Sequence, residues 1–143
     1  MLCAELTAVN QYFIHGMMCA NWRYKKLAEH GREESIDEMK HAKSLIERIL
    51  YLEGVPNMQK YLKIKVGPTV PELHAFDLDV ERSAVARLNT GLETCRQKGD
   101  NGSRILLESI LEEEEKHIDW LVAQLQQIAD VGLPNYLARQ TEG

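Results

Sequence analysis

Glu38-Met39-Lys40-His41 and Glu114-Glu115-Lys116-His117 are two copies of one Glu-x-x-His motif, 76 positions apart, and each has a lone Glu 33 residues before it, Glu5 and Glu81. The 16 Glu and 5 His of the chain would give about half of one such motif by chance. Either copy alone is therefore weak, but two copies with equidistant partners form a constellation. In an antiparallel helix pair, residues equidistant from the turn lie at the same height, because both helices rise about 1.5 Å per residue. The midpoint of Glu5 and Glu38 falls at Asn21-Trp22. That of Glu81 and Glu114 falls at Gln97-Lys98, beside the turn signal Gly99-Asp100-Asn101-Gly102. Each half of the chain thus reads as a helical hairpin that places its lone Glu opposite its own Glu-x-x-His.

Periodicity points these side chains inward. Leu27, Leu45, Ile49 and Leu52 mark an apolar stripe in the second helix, and stepping back from Leu45 by threes and fours lands on His41 and Glu38. The fourth helix repeats the pattern with Leu107, Ile110, Glu114, His117, Leu121, Leu125 and Ile128. In the first helix the stripe runs Leu2, Leu6, Val9, Phe13, Met17 with Glu5 flanking it, and in the third Glu81 sits beside Ala84, Leu88, Leu92 and Cys95. In the run Glu112 to Glu115, Glu113 also lies within one turn of His117, and the repeat offset selects Glu114. An uncompensated buried ion costs several kcal/mol, so four inward carboxylates require positive charge among them. Two divalent cations would balance them, and a Glu from each of two helices with Glu-x-x-His from the other two is the donor set of di-iron and di-manganese carboxylate bundles. The i,i+3 spacing lets one helical turn offer an oxygen and a nitrogen together.

The rest of the chain fits this reading. Its 143 residues suffice for one domain, 1–143, with a sizeable core, and only 6% are aromatic. The net charge of −5, without a basic stripe, argues against nucleic acid as partner and suits cation handling. No run of about 20 apolar residues or signal-peptide pattern occurs, which leads to the expectation of a cytoplasmic protein without a membrane partner. Cys3, Cys19 and Cys95 are scattered and odd in number, so they read as small buried hydrophobes rather than a disulfide framework. Helices are expected over about 1 to 22, 24 to 52, 70 to 97 and 103 to 131, the last with Ser103 as N-cap. A long crossover over 55 to 69 joins the hairpins, and Leu133-Pro134-Asn135-Tyr136-Leu137 forms a short fifth helix whose apolar residues are expected to dock on a neighbouring subunit. The fold class is all-α, a four-helix bundle with a long crossover between helices two and three.

The stretches Glu5 to Phe13, Glu34 to Ala42, Ile46 to Gly54, Glu113 to Leu121 and Asn135 to Leu137 resemble bacterioferritin, a ferritin-like family, over nearly the whole chain. The resemblance implies iron storage and detoxification: a shell of 24 subunits built from two-fold dimers, with a ferroxidase oxidising Fe(II) at an intrasubunit di-iron centre by O2 or peroxide. It implies that Glu38 and Glu114 bridge the metals while Glu5 with His41 and Glu81 with His117 complete the two ends. Tyr12 matches a family tyrosine beside the centre, and Trp120 reads as a core residue or an electron relay. Met39, one residue past a ligand and so about 100° around the helix, should point outward. It matches the methionine that ligates a b-type haem shared by a subunit pair. Met17 and Met18 are expected to pack in the core or line that same interface. A ferredoxin-type reductant and a second subunit type are further family expectations.

Two positions depart from the family. About a dozen residues that members carry before the Glu5 motif are absent here, so the first helix is expected to be about three turns shorter. Glu33 stands where many members have His at an inner-surface iron site near Asp37. The alternatives are a rubrerythrin-like di-iron oxidase or peroxidase, which lacks support from Cys pairs, and a mini-ferritin, whose metal site between subunits the duplicated intrachain set disfavours. A non-catalytic shell subunit is the third.

Overall fold

The structure, a computed structural model, describes residues 1–142. It consists of α1 (Leu2–Asn21), α2 (Lys25–Tyr51), α3 (Val70–Lys98), α4 (Asn101–Val131) and α5 (Leu133–Ala138), with no strand among the described residues. α1 packs chiefly on α2 and α3 on α4, as two hairpins. Gly99, in the left-handed region at φ 66°, ends α3 where an L side chain would be strained. The α1/α2 hairpin closes unusually tightly at one level. A Cβ on Gly31 would lie 2.9 Å from the Gly16 Cα, so the two backbones nearly touch there.

The helix starts follow local chemistry. Thr69 caps α3, accepting from the Glu72 amide, and Pro71 fits the first turn, where its missing N–H would have had no partner. α4 begins at Asn101, two residues earlier than the sequence suggested, because Asp100 rather than Ser103 is its N-cap. The Asp100 carboxylate accepts from the Ser103 amide at 3.1 Å and from the Ser103 hydroxyl at 2.6 Å. The Arg48 guanidinium holds the same carboxylate from α2 at 2.9 Å.

Two apolar clusters fill the bundle ends. One joins Leu2, Leu6, Ala42, Leu45, Leu88, Cys95, Leu107 and Ile110; the other joins Cys19, Leu27, Val70, Leu73 and Tyr136. In α2 and α3 the inward Glu lies between residues of the two clusters, in α4 Glu114 lies between Ile110 of the first and Trp120 packed against the second, and in α1 Glu5 borders the first, so a polar layer crosses the bundle between them. Burial of a Leu is worth roughly 1.5–3 kcal/mol, so four uncompensated carboxylates would cancel most of one cluster.

Three expectations need correction. Phe13 and Met17 are 58% and 57% exposed, Met18 is only half-buried, and Leu52 lies beyond α2, exposed. The buried side of α1 instead carries Thr7, Gln11 and His15, one turn apart, as well as Leu2, Leu6, Tyr12 and Cys19. These polar side chains are buried because they hold the crossover: Thr7 Oγ1, Gln11 Oε1 and His15 Nε2 accept the backbone amides of Leu62, Lys65 and Gly67 at 2.8, 3.1 and 3.0 Å. The crossover has no ladder of its own, and α1 supplies one. α5 also differs, since it packs on its own chain. Tyr136 is 1% exposed, its hydroxyl donates to Gln124 Oε1 at 2.6 Å and lies 3.0 Å from His74 Nε2, and Leu133 and Leu137 pack on the second cluster. The open end of the bundle takes these apolar side chains before any neighbour is needed.

Candidate metal centre

Glu5 from α1, Glu38 and His41 from α2, Glu81 from α3, and Glu114 and His117 from α4 meet in the polar layer. Their donor atoms form two groups. One consists of Glu5, Glu38, His41 and Glu114, the other of Glu38, Glu81, Glu114 and His117, and within each group all donor atoms lie within 4.8 Å of one another. Glu38 and Glu114 belong to both. Glu38 and Glu81 are fully buried, while Glu113 leaves its side chain 47% exposed, so the repeat offset selected the inward member of the acidic run.

The imidazoles face the carboxylates edge-on. His41 Nδ1 lies 2.9 Å from Glu114 Oε1, 3.3 Å from Glu38 Oε2 and 3.6 Å from Glu5 Oε2. His117 Nδ1 lies 3.2 Å from Glu38 Oε1, 3.4 Å from Glu81 Oε1 and 3.7 Å from Glu114 Oε2. These contacts leave Glu5 Oε2, Glu38 Oε1, Glu81 Oε2 and Glu114 Oε1 buried without hydrogen-bond partners. Native interiors rarely leave such atoms orphaned. Four orphaned carboxylate oxygens in one layer, with two imidazoles beside them, fit a pair of divalent cations of the kind that accept mixed oxygen and nitrogen donors.

Electrostatics show what the layer does without such cations. Burial drives the Glu38 and Glu81 carboxyls well above their ordinary range, helped by neighbouring Glu5 and Glu114 respectively. Burial alone would lower the histidines, but Glu114, Glu38 and Glu5 outweigh it and push His41 up to about 12; His117 is likewise raised, by Glu114 and Glu34 first. Burial would also raise Glu114, yet Glu81 and both histidines hold it low. Protons therefore fill the role of the missing positive charge, and a metal must displace them.

Tyr12 lies where its motif position suggested: its hydroxyl donates to Glu81 Oε1. Burial, then the charges of Glu81, Asp77 and Glu38, raise its pKa well above the usual value, so the phenol keeps its proton. Trp120 is stacked on His30 with ring centroids 3.4 Å apart and edge-on to His74. A cavity of about 30 Å³ is lined by Tyr12, His15 and Cys19 of α1 and by His74, His117 and Trp120. Met39 is 52% exposed and outward-facing, with Ile36 one turn before it and Phe13 on α1 exposed as well. Cys19 and Cys95 are buried, Cys3 is partly so, and none is paired.

One residue near the centre escaped the sequence reading. Glu34 Oε2 lies 2.6 Å from His117 Nε2 without hydrogen-bond geometry and is, like the four oxygens of the layer, buried without a partner, and Glu34, Asp37 and His117 form a third cluster of donor atoms. Glu33, at the position of the family's inner-surface site near Asp37, is exposed. The available signal was spacing: Glu34 precedes Glu38 by four residues and shares its helix face.

A family model described as a ferritin-like domain matches residues 1–131. The chain is 45% identical over 138 residues to a bacterioferritin of Mycobacterium leprae (strain TN), covering 96% of this chain and 87% of that protein. It is also 45% identical over 141 residues to a bacterioferritin of Streptomyces coelicolor, covering 99% and 84%. A bacterial ferritin of Synechocystis sp. is 45% identical over 141 residues, covering 98% and 90%.

Proposed function

The chain belongs to the bacterioferritin family, and from that membership we propose that it stores iron and acts as a ferroxidase, taking Fe(II) as substrate into the polar layer and oxidising it to Fe(III). The observation that carries the reading is the pair of overlapping donor groups that share Glu38 and Glu114 and leave four carboxylate oxygens orphaned. In this reading Glu38 and Glu114 bridge two irons, Glu5 and His41 hold one end, and Glu81 and His117 hold the other. Four carboxylates balance two Fe(II), so the dry layer that disfavours bare charge favours loading in pairs. Each Fe(II) gives up one electron, with O2 or peroxide as acceptor.

The protein groups have separable tasks. The apolar clusters above and below the layer exclude water and keep the carboxylates from drifting to solvent. The Tyr12 phenol, held protonated, fixes one oxygen of Glu81 and leaves the other for iron. His41 and His117 release their protons as iron enters.

Storage requires an enclosure, and the proposed assembly is a shell of 24 chains built from two-fold dimers, containing ferric mineral. Phe13, Ile36 and Met39 give the α1/α2 hairpin apolar surface that stays exposed among the described residues. That surface supports a two-fold contact in which Met39 from each chain would ligate a shared b-type haem; when bound, haem supplies a one-electron carrier. A ferredoxin-type reductant and a second subunit type belong to the same proposal. Among the described residues no helix is long and apolar enough to cross a membrane, and a cytoplasmic site of action is proposed.

The test combines native mass with iron uptake. The proposal expects a particle of about 24 chains and rapid oxidation of two Fe(II) per chain, strongly slowed by Glu38→Ala. A Glu38→Ala protein that assembles and oxidises iron at the unaltered rate would overturn the assignment of the centre.

A further inference from the structure

We propose that Glu34 positions His117: its carboxylate takes the Nε2 side of the ring, and Nδ1 is thereby presented to the metal layer. The inference rests on the reading of His117 as a ligand and assigns a role to a residue outside the six donors.

Three observations carry it. His117 Nε2 lies 2.6 Å from Glu34 Oε2, its shortest contact, while Nδ1 faces Glu38, Glu81 and Glu114 at 3.2 to 3.7 Å. The contact is too bent for a hydrogen bond in the metal-free layer, where Glu34 Oε2 is left buried without a partner; aligned with the ring N–H, this carboxylate takes the Nε2 hydrogen and leaves the lone pair of a neutral imidazole on Nδ1. Histidine ligands commonly depend on such an outer partner to fix tautomer and ring orientation. Glu34 is itself held. Its second oxygen lies 3.3 Å from His30 Nε2, and the His30 ring is stacked on Trp120, three residues past His117 on α4. The chain His117, Glu34, His30, Trp120 thus leaves α4, crosses to α2 and returns to α4. Its side chains are mostly buried, Glu34 being 14% exposed.

The third observation is that the arrangement breaks the internal repeat. Shifting Glu34 by the 76-residue offset gives Ile110, which is 2% exposed and belongs to the apolar cluster with Ala42 and Leu45. His41 accordingly meets carboxylates only through Nδ1 among the described residues. Two ligand sets that match residue for residue therefore differ in support, and the end held by Glu81 and His117 has the more firmly oriented imidazole.

Co(II) titration of the assembled protein, followed by its visible bands and by calorimetry, tests the assignment alongside Glu34→Ala, Glu34→Gln and Glu34→Asp. Gln keeps an acceptor oxygen at the same reach, whereas Asp keeps the charge and falls short by one methylene. The expected result is two Co(II) per chain in the unaltered protein. In Glu34→Ala and Glu34→Asp one of the two should weaken about 10- to 100-fold with altered bands, the other staying unchanged, and Glu34→Gln should restore most of the loss. Glu34→Ala binding both ions with unaltered affinity and bands would overturn the proposal, as would Asp matching the unaltered protein or Gln failing to rescue. Should Glu34→Ala not fold, the Gln and Asp pair decides alone. An unaltered protein that binds fewer than two Co(II) would instead refute the two-metal reading of the centre, a distinct outcome.

Discussion

Replacing Glu38 by Gln should leave the metal-free protein nearly as stable as before and abolish most of its stabilisation by metal. Glu38 is fully buried and belongs to both donor groups, and one of its oxygens has no hydrogen-bond partner. Gln has nearly the same volume, so no cavity opens, and burial already drives the Glu38 carboxyl toward its neutral form. The metal-free ΔΔG should therefore stay within about 1 kcal/mol, the range of an isosteric swap without a cavity. Redox-inert Zn(II) at a hundredfold excess over its dissociation constant stabilises by about 2.7 kcal/mol per ion, or about 5.4 for two. A hundredfold weakening at both positions cuts this to about 0.8 kcal/mol. With about 2–4 °C per kcal/mol for a chain of this size, the Zn(II)-induced rise in Tm should fall from about 10–20 °C to about 2–3 °C. Differential scanning calorimetry with and without Zn(II), on samples of matched native mass, measures both quantities. A Glu38→Gln protein with an undiminished Zn(II) shift would show that this carboxylate does not contribute to the cation sites.

Zn(II) binding should release at least about two protons per chain at pH 7, since His41 and His117 are both held protonated in the metal-free layer and must give up those protons to ligate, and the raised Glu38 and Glu81 carboxyls add any that they hold; a pH-stat titration showing no release would contradict this. His74 should make the fold acid-sensitive. Burial, then the nearby His30 and His15, lower its pKa to about 3, so below pH 6.5 the unfolded chain binds a proton that the folded one refuses. Its contribution is complete above pH 6.5 and is lost as pH falls toward 3, by up to about 1.4 kcal/mol per unit. Urea melts between pH 4.5 and 6.5 should show a shallower slope in His74→Gln than in the unaltered protein. Finally, iodoacetamide at pH 8 should label at most Cys3 in the native protein and all three thiols in guanidinium, because Cys19 and Cys95 are buried and burial, then Asp77, pushes the Cys19 thiol up to about 12; rapid native labelling at Cys19, read by mass spectrometry, would refute its placement.

The hairpins and the polar layer were legible because they rest on local spacing. Equidistant Glu pairs and the Gly99-Asp100 turn follow from helix rise and backbone sterics alone, and the structure places both turns close to the midpoints. What escaped depends on partners distant in sequence. Apolar periodicity put Phe13 and Met17 inward, since it cannot distinguish a core stripe from an apolar outer surface. Gln11 and His15 are buried in their place through the amides of Lys65 and Gly67, 54 and 52 residues away. Glu34 was passed over for the same reason, because its partner lies on α4 and the repeat supplies no second copy. Tyr136 turned inward because His74 and Gln124 satisfy its hydroxyl, a polar match that no local pattern reveals.

The amide-accepting side chains at Thr7, Gln11 and His15 bear on how the two halves of the molecule diverged. Moved by the repeat offset they become Ser83, Arg87 and Gly91, a set that cannot offer the same row of acceptors. Exchanging the two hairpins, or doubling the second, would preserve every metal donor and still strand the connecting segment with unsatisfied backbone. Chain order is in this sense written into α1, and a circularly permuted variant should tolerate new ends in the Gly99-Asp100 turn far better than a cut between Leu62 and Gly67.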